Sequence, residues 1–204
     1  MGQIDELSRE ALPLSLEETN WTARAKSAER LIALYCQDTL DAAERRLAEE
    51  TFRLLCYDGE ILVRRLLAEC LKREPHLPRD IALALANDKS DVAVPFIEES
   101  PTLGDRDLLA ILRDHPGPHR LAIARRATIT AALSDALCRC GDPAIIFALL
   151  ANHGAALSPA TLHWLLDRRA GHAVLQAAVL QAIACRRPPP STAGEEIKDM
   201  RYAS

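Results

Sequence analysis

The stretch DGEILVRRLLAECLKREPHLPRDIALALAND, residues 58–88, decides the fold. It reads as two amphipathic helices joined by a proline-containing turn. Leu62, Leu66 and Cys70, with Val63 and Leu67 beside them, recur at the i, i+4, i+8 spacing of one helix face. Pro75 and Pro78 then interrupt the chain. Pro78 suits the first turn of a helix, where its missing N–H has no partner to lose. Ile81, Leu83 and Leu85 begin a second, shorter apolar run.

The unit recurs on both sides. Upstream, Ala25, Ala28, Leu31, Ile32 and Tyr35 form one apolar face. A helix from Asp41 to about Cys56 follows, with Leu47, Thr51, Leu54 and Leu55 inward and Glu44, Arg45, Arg46, Glu49 and Glu50 outward. Downstream, residues 88–114 repeat the pattern: Val92 lies 29 residues after Val63, and Leu108 lies 27 after Ile81. Pro95 falls inside the first helix of this unit and predicts a short or kinked helix. Residues 117–142 place Leu121, Ile123, Ile129, Leu133 and Leu137 inward, with Gly141 as a helix stop. Residues 143–169 have Gly154 as a stop and Ser158-Pro159 as a helix start. A last helix, Gly171 to Cys185, packs Val174, Leu175, Ala178 and Leu180 or Ile183. The recurrence predicts an all-α, right-handed α-α superhelix of about ten or eleven helices, the second helix of each pair lining the concave side. Leu66, Leu85, Leu109 and Leu133 are expected between units.

Composition agrees with stacked helices. Apolar residues make up 49% of the 204 but aromatics only 4%, so the core is built from Leu, Ala, Ile and Val. The net charge of −4 offers no general attraction to nucleic acid or anionic lipid. Residues 1–20 are an acidic arm without the basic start and apolar centre of a secretory signal. Residues 21–186 are the repeat domain, and residues 187–204, opening with Pro188, Pro189 and Pro190, read as a flexible tail. No apolar run approaches the ~20 residues of a membrane span. The six cysteines are Cys36, Cys56, Cys70, Cys138, Cys140 and Cys185, most of them on apolar faces, which points to reduced, packed thiols and the cytoplasm.

Two segments, ERRLAEETFRLLCYDGEILVRRLLAECL (residues 44–71) and PHLPRDIALALANDKSDVAVPFIEESPTLGDRDLLAIL (residues 75–112), resemble a bacterial, mainly alphaproteobacterial family of HEAT-like helical repeats of unknown function. The resemblance runs roughly from Arg24 to Arg169, and VRRLLAECL and DVAVPFIEESPTL carry most of it. It implies a HEAT-like superhelix and brings no catalytic motif with it.

Few residues suggest chemistry. Arg64 and Arg65 follow the buried Val63, with Asp58 at the preceding helix end, which suits an inter-helix ion pair that fixes the register of stacked units. A phosphate or partner contact is the alternative. Arg113, Arg139 and Arg168 stand 26 and 29 residues apart at the ends of second helices. They form either a cationic column facing an acidic partner or three compensators of helix dipoles. Cys138 and Cys140 have one residue between them, so on a helix they point about 200° apart and cannot close one zinc site. His115, Pro116, Gly117, Pro118 and His119 read as a turn between repeats, with a gating loop as the alternative. There is no nucleotide loop and no nucleophile elbow.

The expected function is therefore a non-catalytic cytoplasmic scaffold without cofactor. It binds a protein partner, an acidic one or a second copy of itself, along its concave face. A nucleic-acid-binding module of the DNA-repair glycosylase kind is the alternative, disfavoured by the charge. A metal or cluster carrier ranks below both.

Overall fold

The structure, a computed structural model of the chain, describes residues 4, 21–37, 40–167, 179–181 and 184. Ten helices are found among them. They are α1 (Trp21–Cys36), α2 (Ala42–Leu55), α3 (Ile61–Leu71), α4 (Arg79–Ala86), α5 (Ser90–Glu99), α6 (Asp105–Asp114), α7 (Pro118–Ala124), α8 (Ala131–Arg139), α9 (Pro143–Ala151) and α10 (Pro159–Asp167). The described residues contain no strand, and one isolated bridge joins Ile129 to Ala155. The all-α expectation holds, with helices paired as the apolar faces and stops indicated.

The first helices of successive pairs stack in order, α1 on α3, α3 on α5, α5 on α7 and α7 on α9. The second helices lie alongside, with α2 against α4, α6 against α8 and α8 against α10. Each helix therefore buries a stripe against its own partner and the next pair. Helix α5 sits at the centre, packed on α3, α4 and α7, and its Val92, Ala93, Phe96 and Ile97 are wholly buried. Each such side chain contributes roughly 1.5–3 kcal/mol by leaving water. Pro95 does not end α5, which runs on to Glu99 before turning at Ser100.

The inward face of α3 differs from the sequence reading. Val63, Leu67, Ala68 and Leu71 are buried, whereas Leu66 is half-buried, Leu62 is 46% exposed and Cys70 is exposed. At about 100° per residue, the charged trio Arg65, Glu69 and Lys72 lies opposite Val63 and Leu67. Leu62 falls beside Glu69 instead. The same kind of rotation affects α6, where Leu108 is buried and Leu109 only half-buried. Leu85 and Leu133 are buried as expected, but Leu54, expected inward, is 59% exposed. Phe52 and Leu55 fill the core of α2 in its place.

Near the ends of the chain, Ile4 is helical and buried, so the arm is tied to the core there. Of the last helix expected, Val179 is buried and Leu180 is 59% exposed, which removes Leu180 from the inward set. Gln181 and Ala184 are helical and exposed, and the other residues of that helix, Cys185 and residues 187–204 lie outside the described residues. The cysteines divide: Cys56 and Cys138 are buried and Cys140 is partly covered, but Cys36 and Cys70 are exposed. Both exposed thiols stand in the last turns of their helices, α1 and α3, each beside a buried neighbour, Tyr35 and Leu71, that takes the inward position.

Two glycines explain their positions. Gly141 follows α8 with φ of 73°, the left-handed conformation that ends a helix and that a Cβ disfavours. Gly154 has a different cause. A Cβ there would overlap the backbone oxygen of Ala127, because the loop after α9 closes onto the loop after α7. Ile129 N donates to Gly154 O at 3.1 Å and Ala156 N donates to Ile129 O at 2.8 Å.

Candidate functional site

Most of the arginines in the first pairs are consumed by the fold. Arg24 of α1 clasps Asp58, just ahead of α3, with Nε–Oδ2 and Nη2–Oδ1 both 3.0 Å. Arg64 of α3 repeats the arrangement one unit on, gripping Asp88, just ahead of α5, with Nε–Oδ2 at 2.6 Å and Nη2–Oδ1 at 3.2 Å. Its remaining nitrogen donates to the Asp58 carbonyl oxygen. Arg64 is thus the register-fixing residue expected, but its carboxylate partner is Asp88, because Arg24 already occupies Asp58. Arg53 binds Asp80 and Arg79 binds Asp107, 27 and 28 residues along, on the second-helix side. Such fork-shaped pairs favour the charged forms. Asp80, Asp107 and Glu99 are held below the ordinary carboxylate range chiefly by the hydrogen bonds from Arg53, Arg79 and Lys72 respectively.

Arg65 has a different place. It is exposed and lines an open groove across α3, α5 and α7 with Glu69, Asp91, Pro95, Glu98 and Arg125. Acidic and basic groups alternate there, so the groove has no single sign of charge to select a ligand.

The arginine column divides as well. Arg113 is exposed and bonds the adjacent Asp114, with Nε–Oδ1 at 2.8 Å and Nη2–Oδ2 at 3.2 Å. Arg139, at the end of α8, is exposed and has no ion-pair partner among the described residues. Arg168 lies outside the described residues. The helices that carry the first two, α6 and α8, pack together.

Arg139 borders a cleft that sequence reasoning did not find. The cleft, about 210 Å³, lies between α8 and α10 and is lined by Asp135, Cys138, Arg139, Ala160, Thr161 and Trp164. Its walls are mostly apolar, and Trp164 is 40% exposed. The Asp135 carboxylate is engaged by the hydroxyls of Thr161 and Ser158, the latter at 3.4 Å, while Ser158 also accepts from Thr161 N at 3.0 Å and caps α10. Burial pushes the Cys138 thiol up to about 11, so it serves as an apolar wall and not as a nucleophile. In the sequence, Asp135 stands four residues before Arg139, which the helical repeat puts on the same face of α8, but the other wall comes from α10.

No group of three or more metal-ligating side chains is assembled among the described residues. Cys138 is buried, and Cys140 donates its thiol to Ala136 O at 3.4 Å, so the two thiols face different surroundings. No helix among the described residues is long and apolar enough to cross a membrane.

Comparison with known proteins adds one assignment. Residues 92–184 match the family model described as an uncharacterised protein conserved in bacteria (DUF2336). The match supports the resemblance to a bacterial family of unknown function, and it shifts the limits of that resemblance. It begins at Val92 in α5, so VRRLLAECL at residues 63–71 lies outside it, and it continues past Arg169. The matched segment contains the cleft between α8 and α10 and, in sequence, Arg113, Arg139 and Arg168. No curated protein and no solved structure matches.

Proposed function

We propose that this chain is a non-catalytic cytoplasmic scaffold of HEAT-like type, a right-handed superhelix whose second-helix face holds a partner protein. The observation that carries the reading is the contrast between its arginines. Arg24, Arg53, Arg64 and Arg79 are spent on clipping one helix pair to another. Arg139 is instead left at the rim of an apolar cleft beside Trp164. Exposed tryptophan and arginine around a small pocket are the residue types that anchor protein interfaces. An apolar side chain from an acidic partner segment fits the cleft, with its carboxylates toward Arg139 and Arg113. The charged rim then sets orientation and association rate more than affinity.

The experiment is retention of partners from the native bacterial cytoplasm on wild-type protein, on Trp164→Ala and on the triple Arg→Gln variant at positions 113, 139 and 168. Loss of the same retained protein in both variants, with melting temperatures near wild type, supports the reading. Equal retention on all three sinks it. Duplex DNA binding with a steep salt slope would replace it by the nucleic-acid reading.

A further inference from the structure

Between the second and third stacked pairs lies a feature that the scaffold reading does not use. The rings of His115 and His119 are stacked with centroids 4.5 Å apart and planes 16° from parallel. Both reach back to one two-residue turn, Asn87-Asp88, about one repeat earlier. His119 Nε2 is 3.0 Å from Asp88 O, and His115 Nε2 is 3.0 Å from Asn87 Oδ1.

The hydrogen-bond partners fix the protons. A carbonyl oxygen only accepts, so His119 carries its neutral-state hydrogen on Nε2. Asn87 Nδ2 donates to Leu83 O at 2.7 Å, which orients the amide and leaves Oδ1 to accept from His115 Nε2. Each neutral ring therefore has a bare Nδ1. Acidification adds a proton to the bare Nδ1 of His119, whose ring has no room to turn away while it is stacked on His115. His119 is only 7% exposed, so its charge is also poorly hydrated.

The same turn is held from the other side, because Arg64 grips the Asp88 carboxylate. Asp88 is thus a node tied to α3 through Arg64 and to α7 through His119. In the preceding joint the corresponding node, Asp58, is held by two arginines, Arg24 and Arg64. A titratable histidine stands here where a permanent cation stands there.

We propose that the joint formed by Asn87, Asp88, His115 and His119 is a proton-sensitive latch, closed when the His119 imidazole is neutral and loosened when it takes up a proton. The neighbouring charges do not cancel this response. Asp88 is neutralised by Arg64, and Asp114, at the end of α6, is neutralised by Arg113. Lys89 adjoins the turn and Arg120 lies on α7 itself, both cations. Of the other elements packed on α7, α5 carries Asp91, Glu98 and Glu99, α8 carries Asp135 and Arg139, and α9 follows Asp142. None of these carboxylates hydrogen-bonds either imidazole among the described residues. Burial, and to a smaller degree His115, hold the His119 value below the ordinary histidine range against the hydrogen bond to Asp88.

In the unfolded or locally opened chain His119 returns to about 6.5. The open form thus binds its proton first, and latch stability falls as pH drops from about 6.5 toward the lower folded value. Each unit of depression corresponds to about a tenfold shift in the opening equilibrium.

Two measurements test the latch. NMR titration of the histidine ring Cε1–H signals should put His119 below 6.5 in the wild type and higher in His115→Gln. Amide exchange protection at residues 87–89 should fall between pH 7.5 and 5.5 in the wild type. It should stay constant in His119→Gln, whose amide can still donate to Asp88 O. A His119 midpoint at or above 6.5, unchanged wild-type protection, or the same loss in His119→Gln would each overturn the proposal. If His119→Gln does not fold, the His115→Gln titration alone decides: an unshifted His119 midpoint overturns the latch.

Discussion

The first three helix pairs and the last two are stitched by different chemistry. From α1 to α6 the clips are side-chain ion pairs: Arg24–Asp58, Arg53–Asp80, Arg64–Asp88, Arg79–Asp107, and Lys72 and Arg73 on Glu99. From α7 onward side chains grip backbone instead. Arg126 donates to the oxygens of Ile97 and Ser100, capping the carbonyl end of α5, and Arg120 donates to Leu112 O. Asn152 donates to the oxygens of Ala124 and Arg126. An ion pair needs both partners charged, whereas a carbonyl accepts at every pH and salt concentration. The first region is therefore the one whose side-chain ion pairs acid and salt loosen, while the contacts of Arg120, Arg126 and Asn152 keep their carbonyl acceptors at every pH.

The sharpest way to break this comparison is to remove one partner of the most buried clip. Arg24→Ala leaves Asp58, whose side chain is 3% exposed, as an uncompensated buried carboxylate. Breaking a buried pair in this way costs about 3–5 kcal/mol. Urea unfolding should record that loss, and a loss below about 1 kcal/mol would show that the clips are ornamental. Next in size is the core of α3. Leu67→Ala should cost ~2–5 kcal/mol and Leu66→Ala distinctly less, because Leu67 is wholly buried and Leu66 is not. The reverse order in thermal melts would return the inward face to Leu62, Leu66 and Cys70.

In the second region the matching weak point is backbone contact. Gly154→Ala pushes a methyl into the Ala127 oxygen and forces apart the loops joined at Ile129. An insertion of this kind costs typically ~1–3 kcal/mol. Circular-dichroism melts of the variant should show the loss, with amide exchange rising at Ile129 and Ala156. A variant as stable as the wild type would mean that the two loops are not held together.

This difference also governs what the sequence discloses. The stacked pairs were legible because apolar faces, proline starts and glycine stops are written in residue type. The ion clips were legible as a class, since an Arg one repeat before an Asp is visible as letters. The exact partner was not, because Asp58 and Asp88 are equivalent until Arg24 is known to hold the first. Helix rotation failed at Leu62 and Leu66, where α3 is apolar on more than one side and only the charged trio marks the solvent, and at Leu109, whose neighbour Leu108 takes the buried position. Backbone-directed clips left no signature at all, since every residue offers a carbonyl. The cleft at Trp164 was hidden for a related reason: its walls come from α8 and α10, and neither helix alone has a pocket to display.

The smallest effect concerns the exposed clips and their response to acid. Arg53 and Asp80 are 40% and 58% exposed as side chains, so the pair contributes only ~0–1 kcal/mol, and Asp80→Asn should lower the urea midpoint slightly at pH 7. The sign with pH follows from the depressed carboxylate. Asp80 binds its proton less readily in the fold than in the open chain, where its value is about 3.9. The stabilisation is therefore fully present above about pH 4 and is lost as pH falls through the lower folded value. Asp107 and Glu99 are depressed in the same sense and add to the same window. Amide exchange at acid pH should accordingly open α2 to α6 before α8 to α10, and 0.5 M salt at pH 7 should weaken the first region alone. The histidine latch responds below about pH 6.5, the ordinary histidine value, whereas the carboxylates respond below about pH 4, so the two transitions are followed on one titration. Simultaneous loss of both regions below pH 4 would show that the backbone clips depend on the ionic ones, and the two halves would then be one cooperative unit.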